Sequence, residues 1–369
     1  MADSSVINQQ YDRLQMLKAF DETKAGVKGL HDSGLLKLPQ IFVRPSEELI
    51  ADLKHENAHQ FQVPVIDLSG VDDGGRRKQI VEEVRSAAET WGFFQVVNHG
   101  IPRSVCDGMI DGVRDFNEQD VDQKKKYYTR DMKRSVRYHS CSFDLFRSRT
   151  ATWKDTLTIA LNSGSNLFDH HELPPVCRDS TVEYSKHVEN LGNILLGLLS
   201  EALGLETEFL GNMECSEGHR LHCHYYPPCP EPELAIGSTK HSDAGFLTIL
   251  LQNQVVSGLQ VLCQGRWIDI QPVQGALVVN IGDLLQLVSN GKFRSNAHRA
   301  IANRSGPRIS VACFFSGPLY NMTKIYGPIE ELITKENPAV YKMVVMRDYL
   351  MNILNTSLED YRALDYYKV

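Results

Sequence analysis

The stretch from His241 to Ser310 constrains the fold more than any other part of the chain. It contains FLTILLQ, a long apolar run, and it leads directly into a second one, ISVACFF. Strand-like segments broken by glycine and proline lie between them. Short apolar strands separated by close turns predict an all-β sandwich or jelly roll. Such a barrel can bring side chains that are distant in sequence together in its mouth.

Ionisable residues stand at the borders of these apolar runs. His241 and Asp243 precede the first run, His298 comes later, and Arg308 and Ser310 border the last one. Positions i and i+2 of a strand share a face, so each closely spaced pair can aim at one point. Two histidines and a carboxylate form the ligand set of non-haem Fe(II) oxygenases. Each of these short patterns alone is weak evidence for a metal site. Their order along the chain, at the borders of predicted strands, favours an iron site.

Arg308 and Ser310 have a different chemistry from the three candidate ligands. A guanidinium group binds a carboxylate through two parallel hydrogen bonds, and a neighbouring hydroxyl adds a further contact. The pair is therefore suited to an acidic ligand beside the candidate metal site.

Several motifs carry a family resemblance. The segments HSDAGFLTILLQ, SNAHRA, GPRIS, HYYPPCP (224–230) and WGFFQVVNHGIP (91–102) resemble those of plant 2-oxoglutarate and Fe(II)-dependent dioxygenases. The similarity extends from Tyr11 to Tyr341. The segment AFDETKAGVKGLHDSG (19–34) and the KHSD form of the iron motif are most similar to the branch of aminocyclopropane-carboxylate oxidase homologues. That branch includes hydroxylases of alkaloids and other specialised metabolites.

The resemblance implies a fold, a reaction and a set of site residues. The implied fold is α+β, with a double-stranded β-helix (jelly roll) core braced by helices. The implied reaction converts 2-oxoglutarate and dioxygen to succinate and carbon dioxide and hydroxylates an organic substrate, with ascorbate as the expected reductant. The implied residues are His241, Asp243 and His298 for Fe(II), and Arg308, Ser310 and Tyr226 for 2-oxoglutarate.

One residue departs from the family pattern. The family often has Asn where this chain has His224. We expect neither His222 nor His224 to bind the metal, because neither fits the ligand positions of the motif. Asn280, in VVNIGD, is expected to form a turn.

The substrate pocket is the part that the sequence defines least. The expected walls are Tyr138, Ser140 and Phe143 on an early strand, and Phe314 and Ser316 beyond the Arg308 pair. Aromatic walls favour a largely apolar, multi-ring substrate such as an alkaloid, terpenoid or phenolic metabolite.

Two other functions stay open. An aminocyclopropane-carboxylate oxidase would use ascorbate in place of 2-oxoglutarate, and it has a pair matching Arg308 and Ser310. The N-terminal extension, residues 1–60, and the KHSD motif favour the 2-oxoglutarate enzyme. An inactive paralogue that only binds a small molecule is disfavoured, since a dead site need not keep all three ligands.

Composition narrows the class of protein. The net charge of −7 argues against a nucleic-acid-binding protein. No apolar stretch is long enough to span a membrane, and the first residues lack the apolar core of a secretory signal. The eight cysteines include no CxxC pair, which is typical of thiols in a reducing compartment. We therefore expect a cytoplasmic protein. We also expect a monomer that binds a small-molecule substrate.

Periodicity and turn residues predict the arrangement of the chain. Three regions are expected: an N-terminal region of helices and flanking strands (1–210), the jelly-roll domain with the iron and 2-oxoglutarate sites (211–320), and a C-terminal helical tail (321–369). Helices are predicted over 9–24, 76–91, 102–118, 180–203 and 329–350, strands over 63–71, 92–100 and 137–148, and a loop over 35–60. The basic run from Lys124 to Lys126 is predicted to be a solvated helix face.

Overall fold

A computed structural model describes residues 4–53, 62–142, 145–162, 169–253, 257–319, 321–355 and 362–369. Its helices are α1 (Ser4–Thr23), α2 (Gly26–Asp32), α3 (Ser46–Leu53), α4 (Gly74–Thr90), α5 (Arg103–Glu118), α6 (Val121–Lys125), α7 (Arg178–Ala202), α8 (Phe209–Asn212), α9 (Asp283–Val288) and α10 (Met346–Asn355). Its strands are β1 (Val65–Asp67), β2 (Phe93–Val97), β3 (Val136–Ser140), β4 (Asp155–Asn162), β5 (Gly218–Tyr226), β6 (Ile236–His241), β7 (Leu247–Gln252), β8 (Leu259–Cys263), β9 (Arg266–Asp269), β10 (Leu277–Ile281), β11 (His298–Ile301), β12 (Arg308–Ser316), β13 (Ile325–Tyr326) and β14 (Val344–Val345).

Two sheets face each other and form the predicted jelly roll. The large sheet has the strand order β1-β2-β10-β7-β12-β5-β4-β3, and the small sheet has the order β6-β11-β8-β9. An apolar cluster fills part of the space between them, with members from both sheets: Phe93, Leu250, Val278 and Ala312 from the large one, and Leu259, Val261 and Ile268 from the small one. The fold is therefore α+β, with a jelly-roll core.

Helices cover the outer face of the large sheet. Every second residue of β12, including Val311 and Phe315, faces a core that the long helix α7 completes. Gly192 of α7 lies so close to the Phe315 ring that an added Cβ would be 2.2 Å from it. The predicted helix 180–203 is thus confirmed as the brace of the sheet, and the next residue, Gly204, ends it at a positive φ of 82°.

The N-terminal segment is fixed to the sheet through a buried carboxylate. Asp155, at the start of β4, accepts hydrogen bonds from the backbone amides of Val27 and Lys28, each at 2.8 Å. Gly26 has a φ of 77°, and a Cβ on it would lie 2.6 Å from an Asp155 oxygen. Glycine is required here by both the backbone conformation and the lack of space.

Three predictions about local structure were wrong. Residues 35–60 include a short 3-10 helix, Gln40–Phe42, and the helix α3, whose first turn carries the acidic residues that a helix N-terminus favours. The segment 329–350 is not one helix, because Pro338 interrupts the pattern and α10 begins only at Met346. The prediction for the basic run was wrong for Lys124 only, which is buried and donates its ammonium to the Asn117 carbonyl at 2.7 Å, whereas Lys125 and Lys126 are exposed as predicted.

The expected boundary near residue 210 falls within continuous structure. Four strands of the large sheet (β1 to β4) come from the N-terminal side, and they pair with strands of the jelly-roll region. The part of the tail that is described contains the antiparallel pair β13–β14, α10 and two short 3-10 helices, Glu330–Leu332 and Ala363–Tyr367. Among the described residues, no helix has the length and apolar character needed to cross a bilayer.

We predict that Gly26→Ala destabilises the protein more than Gly34→Ala. Both glycines have a positive φ, but a Cβ on Gly34 meets nothing within 4 Å. Both variants should lose about 1 kcal/mol from backbone strain, and Gly26→Ala a further 1–3 kcal/mol, roughly, from displacing Asp155. Urea unfolding of the two variants measures the difference, and equal losses would contradict this account of the anchor.

We also predict that His219 makes stability depend on pH. Burial lowers the pKa of His219 to about 4, against about 6.5 in an unfolded chain. Unfolding therefore takes up a proton as the pH falls from 6.5 towards 4, so stability is lost over that window. At pH 5 the contribution of His219 to the free energy of unfolding is about 2 kcal/mol lower than at neutral pH. His219→Leu should reduce the pH dependence of the free energy of unfolding by that amount, and an unchanged dependence would contradict it.

Candidate active site

Two histidines and one aspartate come together at the junction of β6 and β11. His241 ends β6, His298 begins β11, and the two residues are paired across the small sheet. Their ring centroids are 4.3 Å apart. The Oδ1 atom of Asp243 lies 3.7 Å from Nε2 of His241 and 3.6 Å from Nε2 of His298. These atoms are close enough together for one metal ion to contact all three.

Hydrogen bonds orient the two histidine rings so that Nε2 of each faces the Asp243 carboxylate. Nδ1 of His241 is 2.7 Å from the Thr239 carbonyl, and Nδ1 of His298 is 3.4 Å from the Asn296 carbonyl. A carbonyl only accepts, so each Nδ1 carries the proton and each Nε2 keeps a lone pair. The donor set therefore has the orientation that a metal ion needs.

The Asp243 carboxylate is held by the large sheet. Its Oδ2 atom accepts from the Thr248 hydroxyl at 2.6 Å and from the Asn280 amide at 2.7 Å. Oδ1 is left to face the histidines. Asn280 lies in β10 and does not form the turn expected from the sequence. Its position inside a run of apolar strand residues was the signal for a buried polar role.

The protonation states also suit a cation. Burial, together with the neighbouring His298, lowers the pKa of His241 to about 4. Burial alone would raise the pKa of Asp243, but the two histidines and its hydrogen bonds lower it overall. A neutral imidazole and an ionised carboxylate are the forms in which these groups bind a divalent metal. By the chemistry and orientation of its donors, the cluster fits Fe(II).

The C-terminal segment supports the loop that carries Asp243. Asp283, at the start of α9, donates its backbone amide to the Asp243 carbonyl at 2.7 Å. The Asp283 carboxylate accepts from Ser242 at 2.9 Å, from Tyr349 at 2.8 Å and from Arg362 at 3.0 Å. The tail therefore positions the candidate metal loop through one buried acid.

Arg308 is a buried cation on the interior face of β12. It is 1% exposed, and no ion pair of the described residues includes it. Nη1 donates to Ser310 at 3.3 Å and Nη2 to Gln252 at 2.9 Å, while the Tyr226 ring lies 5.1 Å from Cζ. Burial lowers its pKa, because no acid compensates for the lost hydration. The three residues expected at the 2-oxoglutarate site are therefore adjacent.

His224 lies beside this group and outside the metal cluster. It pairs with Ser310 across the sheet, and its Nδ1 is 3.0 Å from the Thr156 hydroxyl. Its burial lowers the pKa well below the usual value, so the ring is neutral. Neither His222 nor His224 belongs to the cluster that can hold a metal ion.

The expected pocket walls divide between the two faces of the large sheet. Tyr138 and Ser140 align with Leu157 and Asp155 of β4, on the face covered by helices, where Tyr138 packs edge-on to Phe116. They therefore lie on the opposite side from Arg308, and Phe143 lies outside the described residues. The strand register determines which side chains face the interior. Successive side chains of a strand point to opposite faces, and in β3 Arg137 and His139 occupy the interior positions.

The two later residues do lie on the interior face. Phe314 is part-buried there and contacts the His222 ring edge-on at 4.8 Å between centroids. Ser316 ends β12, and its hydroxyl bonds to the carbonyls of Gly218 and Gly317. The wall formed by β3, β4 and β5 is polar, in contrast to the aromatic wall expected from the sequence.

Comparison with known families gives two matches along the chain. Residues 218–317 match the family described as the 2OG-Fe(II) oxygenase superfamily, and residues 63–175 match the N-terminal region of non-haem dioxygenases in morphine synthesis. The first range contains the whole His241, Asp243 and His298 cluster, together with Arg308.

Individual relatives match nearly the whole chain. The 1-aminocyclopropane-1-carboxylate oxidase homolog 1 of Arabidopsis thaliana is 48% identical and covers 97% of both chains. Deacetoxyvindoline 4-hydroxylase of Catharanthus roseus is also 48% identical, over 92% of this chain and 85% of its own. The crystal structure of JOX2 in complex with 2OG, Fe and JA has a TM-score of 0.80, with 29% identity, over 93% of this chain and 97% of its own. The chain therefore belongs to the 2OG-Fe(II) oxygenase superfamily and is a 2-oxoglutarate-dependent dioxygenase.

Proposed function

We propose that this dioxygenase hydroxylates a specialised plant metabolite, and that His241, Asp243 and His298 are its Fe(II) ligands. The observation that carries the proposal is the convergence of two lone-pair Nε2 atoms on one carboxylate oxygen, 3.6 and 3.7 Å away. Three protein ligands on one side leave the other positions of the metal open. Iron supplies the oxidising chemistry once 2-oxoglutarate and dioxygen are bound.

The protein's own contribution begins with the ligands. The Thr239 and Asn296 carbonyls hold the two imidazoles in one tautomer, so no proton has to move before the metal binds. Thr248 and Asn280 hold the second oxygen of Asp243 and keep that carboxylate from rotating. The site is thus organised before its metal binds.

Arg308, Ser310 and Tyr226 are proposed to bind the far carboxylate of 2-oxoglutarate. An unpaired guanidinium in the interior is costly, and a carboxylate cosubstrate would neutralise it. The Ser310 hydroxyl adds a hydrogen bond, and Tyr226 borders the guanidinium through its ring. The Gln252 Oε1 atom accepts a hydrogen bond from Nη2 of Arg308 at 2.9 Å and holds the other side of the guanidinium group. These contacts would orient the cosubstrate relative to the metal.

Hydroxylation is the reaction type that we favour. One relative at 48% identity is named as a hydroxylase, and transfer of oxygen requires only that the attacked carbon stay near the metal. The substrate is proposed to be an alkaloid, a terpenoid or a phenolic compound. All eight cysteines are free thiols in the structure, which supports a cytoplasmic enzyme, proposed to act as a monomer with ascorbate as reductant.

The purified enzyme can test this function directly. It should be incubated with Fe(II), ascorbate, 2-oxoglutarate and pools of plant metabolites under labelled dioxygen. We expect succinate to form with one labelled oxygen, and a product to gain another. A product that loses two hydrogens and gains no oxygen would overturn the hydroxylase assignment. Ethylene formed from aminocyclopropane-carboxylate without any need for 2-oxoglutarate would favour the alternative oxidase.

We predict that substituting a metal ligand reduces turnover more than substituting a residue that only holds a ligand in place. His298→Ala should abolish turnover, because it removes a ligand. Asn280→Ala keeps every ligand and should lower iron affinity or turnover by about 10- to 100-fold, because Asp243 is no longer held. Iron titration, turnover and thermal unfolding of both variants provide the measurement. Wild-type activity with stoichiometric iron in His298→Ala would refute the ligand assignment.

We predict that Arg308→Leu removes most of the affinity for 2-oxoglutarate. Loss of one member of a buried charge pair costs about 3–5 kcal/mol. This corresponds to about two to three and a half orders of magnitude in the apparent dissociation constant. Ser310→Ala removes one neutral donor and should cost only about tenfold. Equilibrium titration with 2-oxoglutarate measures both, and an unchanged affinity in Arg308→Leu would point to a different carboxylate site.

A further inference from the structure

The interior wall formed by β3, β4 and β5 carries basic and polar side chains. The antiparallel registers align them in successive rows across the large sheet: His139, Thr156 and His224 in one, Arg137, Thr158 and His222 in the next, and Ala160, Arg220 and Phe314 in the third. All of them lie on the face that also carries Arg308, since they alternate with the helix-facing residues. The wall therefore borders the same interior space as the candidate metal centre.

Several buried polar atoms of this wall have no hydrogen-bond partner within the described part of the chain. They are Nε of Arg137, Nδ1 of His139, Oγ1 of Thr158, Nε of Arg220 and Nε2 of His222. Buried polar groups are nearly always hydrogen-bonded, so each such atom requires an explanation. Their position on the wall that faces the interior is consistent with a polar ligand there.

The wall is also positively charged without local compensation. None of the ion pairs found among the described residues includes Arg137 or Arg220. Burial and the adjacent Arg220 lower the pKa of Arg137 to about 10, and Asp131 only partly offsets them. An anionic ligand would relieve this repulsion.

The cosubstrate cannot be that ligand. Arg308 pairs with Tyr226 at one end of β5, and Arg220 lies near the other end. Tyr226 and Arg220 are six positions apart along the strand, which is about 20 Å. A five-carbon diacid that reaches from the metal to Arg308 leaves Arg137 and Arg220 unpaired.

We propose that Arg137 and Arg220 bind a carboxylate of the organic substrate. This inference rests on the proposed function and narrows its substrate class to organic acids. Phe314, beside Arg220, and the interior apolar residues Leu250 and Ala312 would contact the hydrocarbon part. The carboxylate and the carbon that is oxidised then belong to opposite ends of the substrate, because Arg220 lies three strands away from Asn280, or about 14 Å across the sheet.

Matched pairs of probes test the inference. Phenylacetic, indoleacetic and cyclopentaneacetic acids, each with its methyl ester, are titrated anaerobically into the enzyme loaded with Fe(II) and 2-oxoglutarate. Binding is followed through the charge-transfer absorption of that complex, which responds to a substrate near the metal. At least one acid should bind about tenfold or more tightly than its ester. Arg220→Gln and Arg137→Gln should each reduce this preference, without changing the affinity for 2-oxoglutarate.

A control variant separates local charge from overall charge. Arg103→Gln removes an exposed arginine at the start of α5, a helix on the opposite side of the large sheet, and should keep the full preference for acids. Circular dichroism checks that each variant is folded. Equal binding of every acid and its ester, or a preference that survives both wall variants, would overturn the inference. If succinate still forms with Fe(II) in that case, the proposed function stands. If wild-type enzyme forms no succinate under any condition, both proposals fail.

Discussion

The pairing of β12 between β5 and β7 is the constraint on which the rest of the structure depends. It divides the strand into two chemically different faces: Val311 and Phe315 pack against helices, while Arg308 and Ser310 face the interior. A slip of one residue would exchange the faces and place the guanidinium in the apolar helix core. The apolar residues on the outer face therefore fix the register that positions the polar residues on the inner one.

The candidate metal centre depends on both sheets at once. Its histidines come from the small sheet, where His241 and His298 are directly paired. Its carboxylate is held by Thr248 and Asn280 of the large sheet. Because the ligand set bridges the two layers, changes in sheet packing should alter the metal site before they alter the strands. The buried Asp283 adds a further connection, from the loop of Asp243 to the C-terminal segment.

The sequence predicted the features that follow from short-range pattern. The jelly roll, α7 and the convergence of His241, Asp243 and His298 follow from apolar runs, helical spacing and motif order. Predictions from the sequence were wrong where strand register or long-range contacts determine the position of a side chain. Tyr138 was assigned to the pocket, but its pairing with β4 turns it to the helices. Asn280 was expected to form a turn, because the sequence does not show that β10 pairs with β7 or that Asn280 bonds to Asp243. The polar wall could not be predicted, because its residues come from three strands that meet only in the folded sheet.

The most direct test of this account is the position of iron in crystals grown without oxygen in the presence of Fe(II) and 2-oxoglutarate. Anomalous scattering at the iron edge locates the metal independently of any assumption about its ligands. The account predicts one iron bound by Nε2 of His241, Oδ1 of Asp243 and Nε2 of His298, with the far carboxylate of 2-oxoglutarate on Arg308. Iron at any other group of side chains, or 2-oxoglutarate bound away from Arg308, would contradict it.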